Sequence, residues 1–162
     1  MNNILDEKVK LYEKQLKEMA VERRKAISNL NNQCDAFAEH FLKVYFLKDN
    51  ESLNNWLSTM SNILDIINNT LVKGNKKLSS NEVYKQFFTY SVNEEAEVEI
   101  LIDKVELSGI KLPVITDVDK TLFLKSYKEF ARDYSDTLSS FNKLTRDDWK
   151  FLLKKHFKLE EK

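Results

Sequence analysis

Leu53-Asn54-Asn55-Trp56-Leu57-Ser58-Thr59-Met60-Ser61-Asn62-Ile63-Leu64-Asp65-Ile66-Ile67-Asn68-Asn69-Thr70-Leu71 is the stretch on which the fold turns. Leu53, Leu57, Met60, Leu64, Ile67 and Leu71 recur by alternate steps of four and three, the period of one helix face. Trp56, Ile63 and Ile66 widen that face well past a narrow seam, so the helix expected over 52–73 is buried on more than one side and is the candidate central helix. Upstream, Lys48-Asp49-Asn50-Glu51 is a short polar turn, which favours antiparallel packing on residues 33–47. There Cys34, Phe37, Phe41 and Val44 carry the stripe, with Tyr45 and Phe46 beside it.

Further upstream the pattern narrows. Leu5, Val9, Tyr12, Leu16, Met19, Arg23, Ala26 and Leu30 again alternate steps of four and three, now in a lysine- and glutamate-rich background with neither glycine nor proline. That is a coiled-coil-like seam. Asn29, Asn31 and Asn32 mark the place for a kink. Downstream of the central stretch, Gly74 suits a helix C-terminus. Ser79 and Glu82 form a capping box ahead of Val83, Tyr84, Phe87 and Phe88. Asn93-Glu94-Glu95 opens a further segment. Val98, Leu101, Ile102 and Val105 fit a helix and Ser108-Gly109 suits its end, although Val98, Ile100 and Ile102 also alternate as in a strand. Helices are then expected over about 118–142, capped by Thr116 or Asp117, and over about 146–158, where Trp149, Leu152, Leu153, His156 and Phe157 form the apolar face. The expected fold is all-α with about six helices. An N-terminal amphipathic arm over 1–47 leads into a helical bundle over 48–162, and no linker clearly divides the chain.

The chain has 162 residues, 42% apolar and 32% charged, enough to build a core. No apolar run approaches a transmembrane length, and the N-terminus turns charged too early for a secretory signal. A cytoplasmic protein that does not enter membranes is expected. A single cysteine excludes a disulfide framework and a multi-cysteine zinc site. Two glycines and one proline argue against glycine-rich phosphate loops and turn-dense β folds. With 26 basic and 26 acidic residues the net charge is zero, whereas a general nucleic-acid binder carries a basic excess. Residues 93–109 hold six acidic groups (Glu94, Glu95, Glu97, Glu99, Asp103 and Glu106) against one lysine. Lysines outnumber arginines 22 to 4 and asparagines number 15, the bias of an AT-rich coding genome such as that of a low-GC bacterium, its phages or its mobile elements.

Val114-Ile115-Thr116-Asp117-Val118-Asp119-Lys120-Thr121-Leu122 resembles the first motif of the haloacid dehalogenase-like phosphatases, an apolar strand ending in Asp-x-Asp-x-Thr. The resemblance, over nine residues, implies Asp117 as the nucleophile and Asp119 as the acid/base, bridged by Mg²⁺. The family's later motifs and parallel strands need more than the 43 residues that follow Asp119. Aspartates at a helix start are ordinary caps, so the match is read as chance and no enzyme is expected.

Residues 79–111 admit a winged-helix reading, but phosphates repel a recognition helix with six acidic groups. The acidic face is read as a solvated surface or as a surface for a basic protein groove. Arg146, Lys150, Lys154 and Lys158 step by four along the last helix and could meet phosphates; they also suit a helix C-terminus. His40 and Cys34 lack metal-ligand spacing, so neither metal nor cofactor is expected. The leading expectation is a non-enzymatic regulatory or inhibitory protein, phage- or mobile-element-encoded, that occupies a partner protein's surface. Its docking or homodimer seam is Leu5, Val9, Tyr12, Leu16, Met19 and Arg23. The alternative is a nucleic-acid-binding regulator.

Overall fold

The computed structural model describes residues 2–73, 88, 92–140 and 144–159, with the backbone alone described at 2, 20, 22–30, 70–73 and 138–140. Among the described residues the regular structure is entirely helical. It comprises α1 (Asn2–Phe46), α2 (Leu53–Lys73), α3 (Glu95–Leu107), α4 (Asp117–Ser140) and α5 (Arg146–His156). The stretch 97–107, for which the alternation of Val98, Ile100 and Ile102 left a strand open, lies in α3. Gly74, the Ser79–Glu82 capping box and the first helix of the winged-helix reading lie outside the described residues, apart from residue 88.

The chain divides into two units, Met1–Leu30 and Asn31–Lys162. The division falls well before residue 47, where the sequence pattern put the end of the arm. The reason is the stretch 31–46, whose Cys34, Phe37, Ala38, Phe41, Leu42 and Val44 have no exposed surface and belong wholly to the second unit's core. From Gln33 to Leu47 no residue is exposed. This stretch, not α2, is the central helix of that unit, which corrects the expectation from sequence. α2 does bury Trp56, Leu57, Met60, Ile63, Leu64 and Ile67. Its other side, with Asn54, Asn55, Thr59, Asn62, Ile66 and Asn69, faces water.

The core is aromatic. Phe37 lies 5.7 Å from Phe130 in a stacked pair and 5.9 Å from Phe88 in an edge-to-face one. Phe41 meets Tyr127 edge-to-face at 5.2 Å and Phe157 at 4.7 Å. Trp149 packs edge-to-face on Tyr134 at 4.8 Å, and the Tyr134 hydroxyl donates to the Leu64 carbonyl at 2.7 Å. Such pairs add to the area they bury, because ring edge and ring face carry opposite partial charge.

The turn between α1 and α2 is held by the Asn50 side chain, which accepts from the Ser52 amide at 2.8 Å. That is the local hydrogen bond through which asparagine favours turns. α5 runs antiparallel to α2, since Arg146 donates to the Asn62 side chain at 2.9 Å and Lys150 to the Ser58 hydroxyl at 3.2 Å. α3 and α4 are tied through Glu95 to Thr121 and through Glu99 to Lys120.

Candidate functional site

The helix starts account for much of the acidic chemistry. Thr116 caps α4: the Asp119 amide donates to its hydroxyl at 3.2 Å, and its own amide donates to the Asp119 carboxylate at 3.0 Å. Thr145 and Asp148 repeat the device at α5. At α3 the Glu97 carboxylate accepts from the Asn93 and Glu94 amides at 3.0 and 3.1 Å. Each case satisfies amides that a helix leaves without intrahelical partners.

Asp117 and Asp119, the pair singled out by the phosphatase-like string, thus open a helix. The bonds from Thr116 hold the Asp119 carboxyl below the usual carboxylate range. Asp117 stands 3.6 Å from the Lys120 ammonium. Lys120 makes its shorter contact, 2.7 Å, with Glu99. That hydrogen bond lowers the Glu99 carboxyl and raises the lysine from their ordinary values. Glu95 accepts from the Thr121 hydroxyl at 2.6 Å. Four of the six acidic residues therefore interact locally: Glu94 at the cap, Glu95 with Thr121, Glu97 in the cap and Glu99 with Lys120. Asp103 and Glu106 line a cleft of about 320 Å³ together with Leu112, Pro113 and Val114.

The basic stripe is also partly occupied. Arg146 and Lys150 lean on α2, as described above. Lys154 is half-buried and Lys158 exposed. Lys158 has φ 55°, the left-handed conformation. Its amide donates to the Lys155 carbonyl at 3.2 Å, and the next amide, Leu159, donates to Lys154 at 2.9 Å. This is the bonding of a helix end at which glycine is the usual residue.

One pair escaped sequence reasoning. The Ser126 hydroxyl and His156 Nε2 lie 2.9 Å apart, α4 against α5. The His156 ring packs 5.3 Å from Phe130 and 5.7 Å from Phe41. Burial lowers its pKa below the ordinary 6.5, with Asp133 and Glu129 pulling the other way. Ser126 is in mid-helix, where backbone amides are committed to the helix ladder. Its neighbouring amides are therefore not free to stabilise a developing oxyanion. The pair ties two helices together. Cys34 is buried, and burial followed by the charge of Asp35 pushes its thiol up to about 12. A thiol held so far from ionisation is a poor nucleophile and a poor metal ligand. Among the described residues no group of three histidine, cysteine, aspartate or glutamate side chains could hold a metal ion. No helix there is long and apolar enough to cross a membrane.

The N-terminal seam presents the opposite picture. Leu5 is 66% exposed, Val9 50%, Tyr12 64%, Leu16 49% and Met19 65%. The side chain of Arg23, the sixth seam residue, lies outside the described ones. On α1 these positions share one face, because steps of four and three return to the same side of a helix. This is the largest aligned set of exposed apolar side chains among the described residues.

No protein-family model, no curated protein and no solved structure matches the chain.

Proposed function

We propose that this is a non-enzymatic, cytoplasmic protein of regulatory or inhibitory kind, phage- or mobile-element-encoded, that works by occupying the surface of a partner protein. One observation carries the reading: Leu5, Val9, Tyr12, Leu16 and Met19 line one face of a helix and all stand exposed. An amphipathic helix with a wet stripe gains most of its stability only when that stripe is covered. Helix-in-groove or coiled-coil pairing is the mode that such a face serves. The engagement of Glu97, Asp119 and Asp148 in helix caps, and of Arg146 and Lys150 with α2, supports a structural use of the charged residues that could otherwise suggest catalysis or phosphate binding.

The test is purification of the tagged chain from cells that encode it, with and without nuclease, followed by mass spectrometry. A stoichiometric protein should survive nuclease, and Leu16→Glu with Met19→Glu should remove it while unit Asn31–Lys162 still melts cooperatively. Two charges on the face should weaken capture at least about 100-fold, since each must be desolvated. Co-purifying material that disappears with nuclease would instead favour a nucleic-acid-binding regulator, with Arg146, Lys150, Lys154 and Lys158 as the next residues to replace.

A further inference from the structure

We infer that the cleft between α3 and residues 112–115 docks an extended basic segment of a partner protein. A lysine or arginine of that segment lays its stem along Leu112 and Pro113 and brings its charge to Asp103 and Glu106. The surface lies wholly in unit Asn31–Lys162, so the inference stands apart from the N-terminal seam and neither falls with the other.

Charge selects the sign of the occupant. Glu99, Asp103 and Glu106 line the cleft, and steps of four and three set them along one face of α3. Lys120 neutralises Glu99 at 2.7 Å. Asp103 and Glu106 are exposed and have no ion pair among the described residues. Lys104, next to Asp103 in sequence, lines a separate cleft with Asp35 and Glu97. A row of carboxylates repels nucleic-acid phosphates. Nor is it grouped to hold a metal ion, since no such cluster exists among the described residues. An organic cation fits.

Shape selects its form. The wall opposite the carboxylates is Leu112, Pro113, Val114 and Ile115, and Ile102 lies in the lining as well. At about 320 Å³ the cleft is at the small end of ligand cavities. Lysine and arginine are the side chains that join a charged head to an apolar stem. Lys120 already behaves this way at the Glu99 end: its side chain is 11% exposed while its ammonium reaches the carboxylate. The chain thus displays in itself the contact that the cleft offers to a second cation.

The backbone of the wall is open too. Among the described residues no backbone–backbone hydrogen bond involves residues 110–115, and Pro113 biases Leu112 away from the helical region. Such a segment accepts an extended chain beside it, with backbone bonds supplying affinity and pockets for alternate side chains supplying specificity. Val114, 92% exposed, and Leu107, 88% exposed, are the most exposed of the large apolar side chains described. They offer contact to apolar residues that alternate with the cations of the docked segment.

The experiment uses the isotope-labelled full chain and, as probe, a short peptide alternating lysine with valine. Its titration should shift the amide signals of residues 99–107 and 111–116 and leave those of α5 in place. Asp103→Asn with Glu106→Gln should weaken binding at least about tenfold, the loss of one hydrogen bond to a charged group. Both side chains are exposed, so the thermal midpoint should stay unchanged. Asp49→Asn with Glu51→Gln removes the same charge from other exposed positions of the unit and should change binding less than twofold. A peptide with glutamine in place of lysine should bind as weakly as the first double variant does to the lysine peptide. Equal weakening by the two double variants would overturn the cleft as the site and leave a diffuse attraction to acidic surface. Shifts at 99–107 and 111–116 that grow with protein concentration before peptide is added would overturn the partner and make a second copy the occupant. No saturable shift at about 1 mM peptide, where even weak contacts register, would overturn the docking itself. None of these outcomes bears on Leu16→Glu with Met19→Glu, which tests the seam alone.

Discussion

His40 and His156 both belong to unit Asn31–Lys162, and burial holds both below their ordinary pKa of 6.5. The fold therefore favours the neutral imidazoles, while the unfolded chain takes up protons near 6.5. Their contribution to stability is fully present above that pH and is lost as pH falls from 6.5 through the lower folded values. The depressed Glu99 and Asp119 carboxyls act in the same direction, from about pH 4 downward. Thermal midpoints should thus drop between pH 7 and pH 5, ahead of the carboxylate range. His156→Gln, which keeps a polar partner for Ser126, should flatten that first drop in melts followed by circular dichroism. A first drop of unchanged depth in the variant would count against His156 as one of its sources.

At the scale of elements, the end of α5 offers a clean case. Lys158 occupies a left-handed position at φ 55°, where a Cβ is strained. Lys158→Gly should therefore raise stability by about 1 kcal/mol, read from urea midpoints at unchanged slope. At Gly109, with φ 95°, the residue already suits the geometry. The helices themselves were legible because each carries its own local signals: Thr116 with Asp119, Thr145 with Asp148, and the asparagine turn before α2. For α3 the helix won over the strand reading because Val98, Leu101, Ile102 and Val105 could all be buried on one side, whereas alternation would have spent Leu101 on the wrong face. The centre of the core was harder to read. α2 and the stretch 33–47 have similar apolar stripes, and the choice lay in the polar residues between them. Asn54, Asn55, Thr59, Asn62 and Asn69 gather on one wet side of α2, while Gln33, Asp35, Glu39, His40 and Lys43 are all half-buried. The candidate seam was visible because its period is local. The Ser126–His156 contact joins residues 30 apart through tertiary packing, and no spacing rule announces it.

In unit Asn31–Lys162 as a whole, the aromatic core gathers around two neighbouring rings, Phe37 and Phe41. Among the described residues the Phe37 ring meets Phe41, Phe88, Tyr127 and Phe130. Phe37→Ala should cost about 3–5 kcal/mol, because the removed ring leaves a cavity that several elements would have to collapse together to fill. Against a total of roughly 5–15 kcal/mol, that is enough to bring the unit near its unfolding threshold at ambient temperature. A urea melt checks it. A loss under about 1 kcal/mol would mean that the aromatic cluster repacks readily around the gap.

The two tryptophans, Trp56 and Trp149, are both in this unit, and both are buried. Unit Met1–Leu30 has none. Indole emission is consequently a private signal of the second unit, blind to what the first thirty residues do. Backbone ellipticity reads both. Any gap between the two signals during denaturation, or on dilution, isolates the spectroscopically dark segment without a label having to be attached.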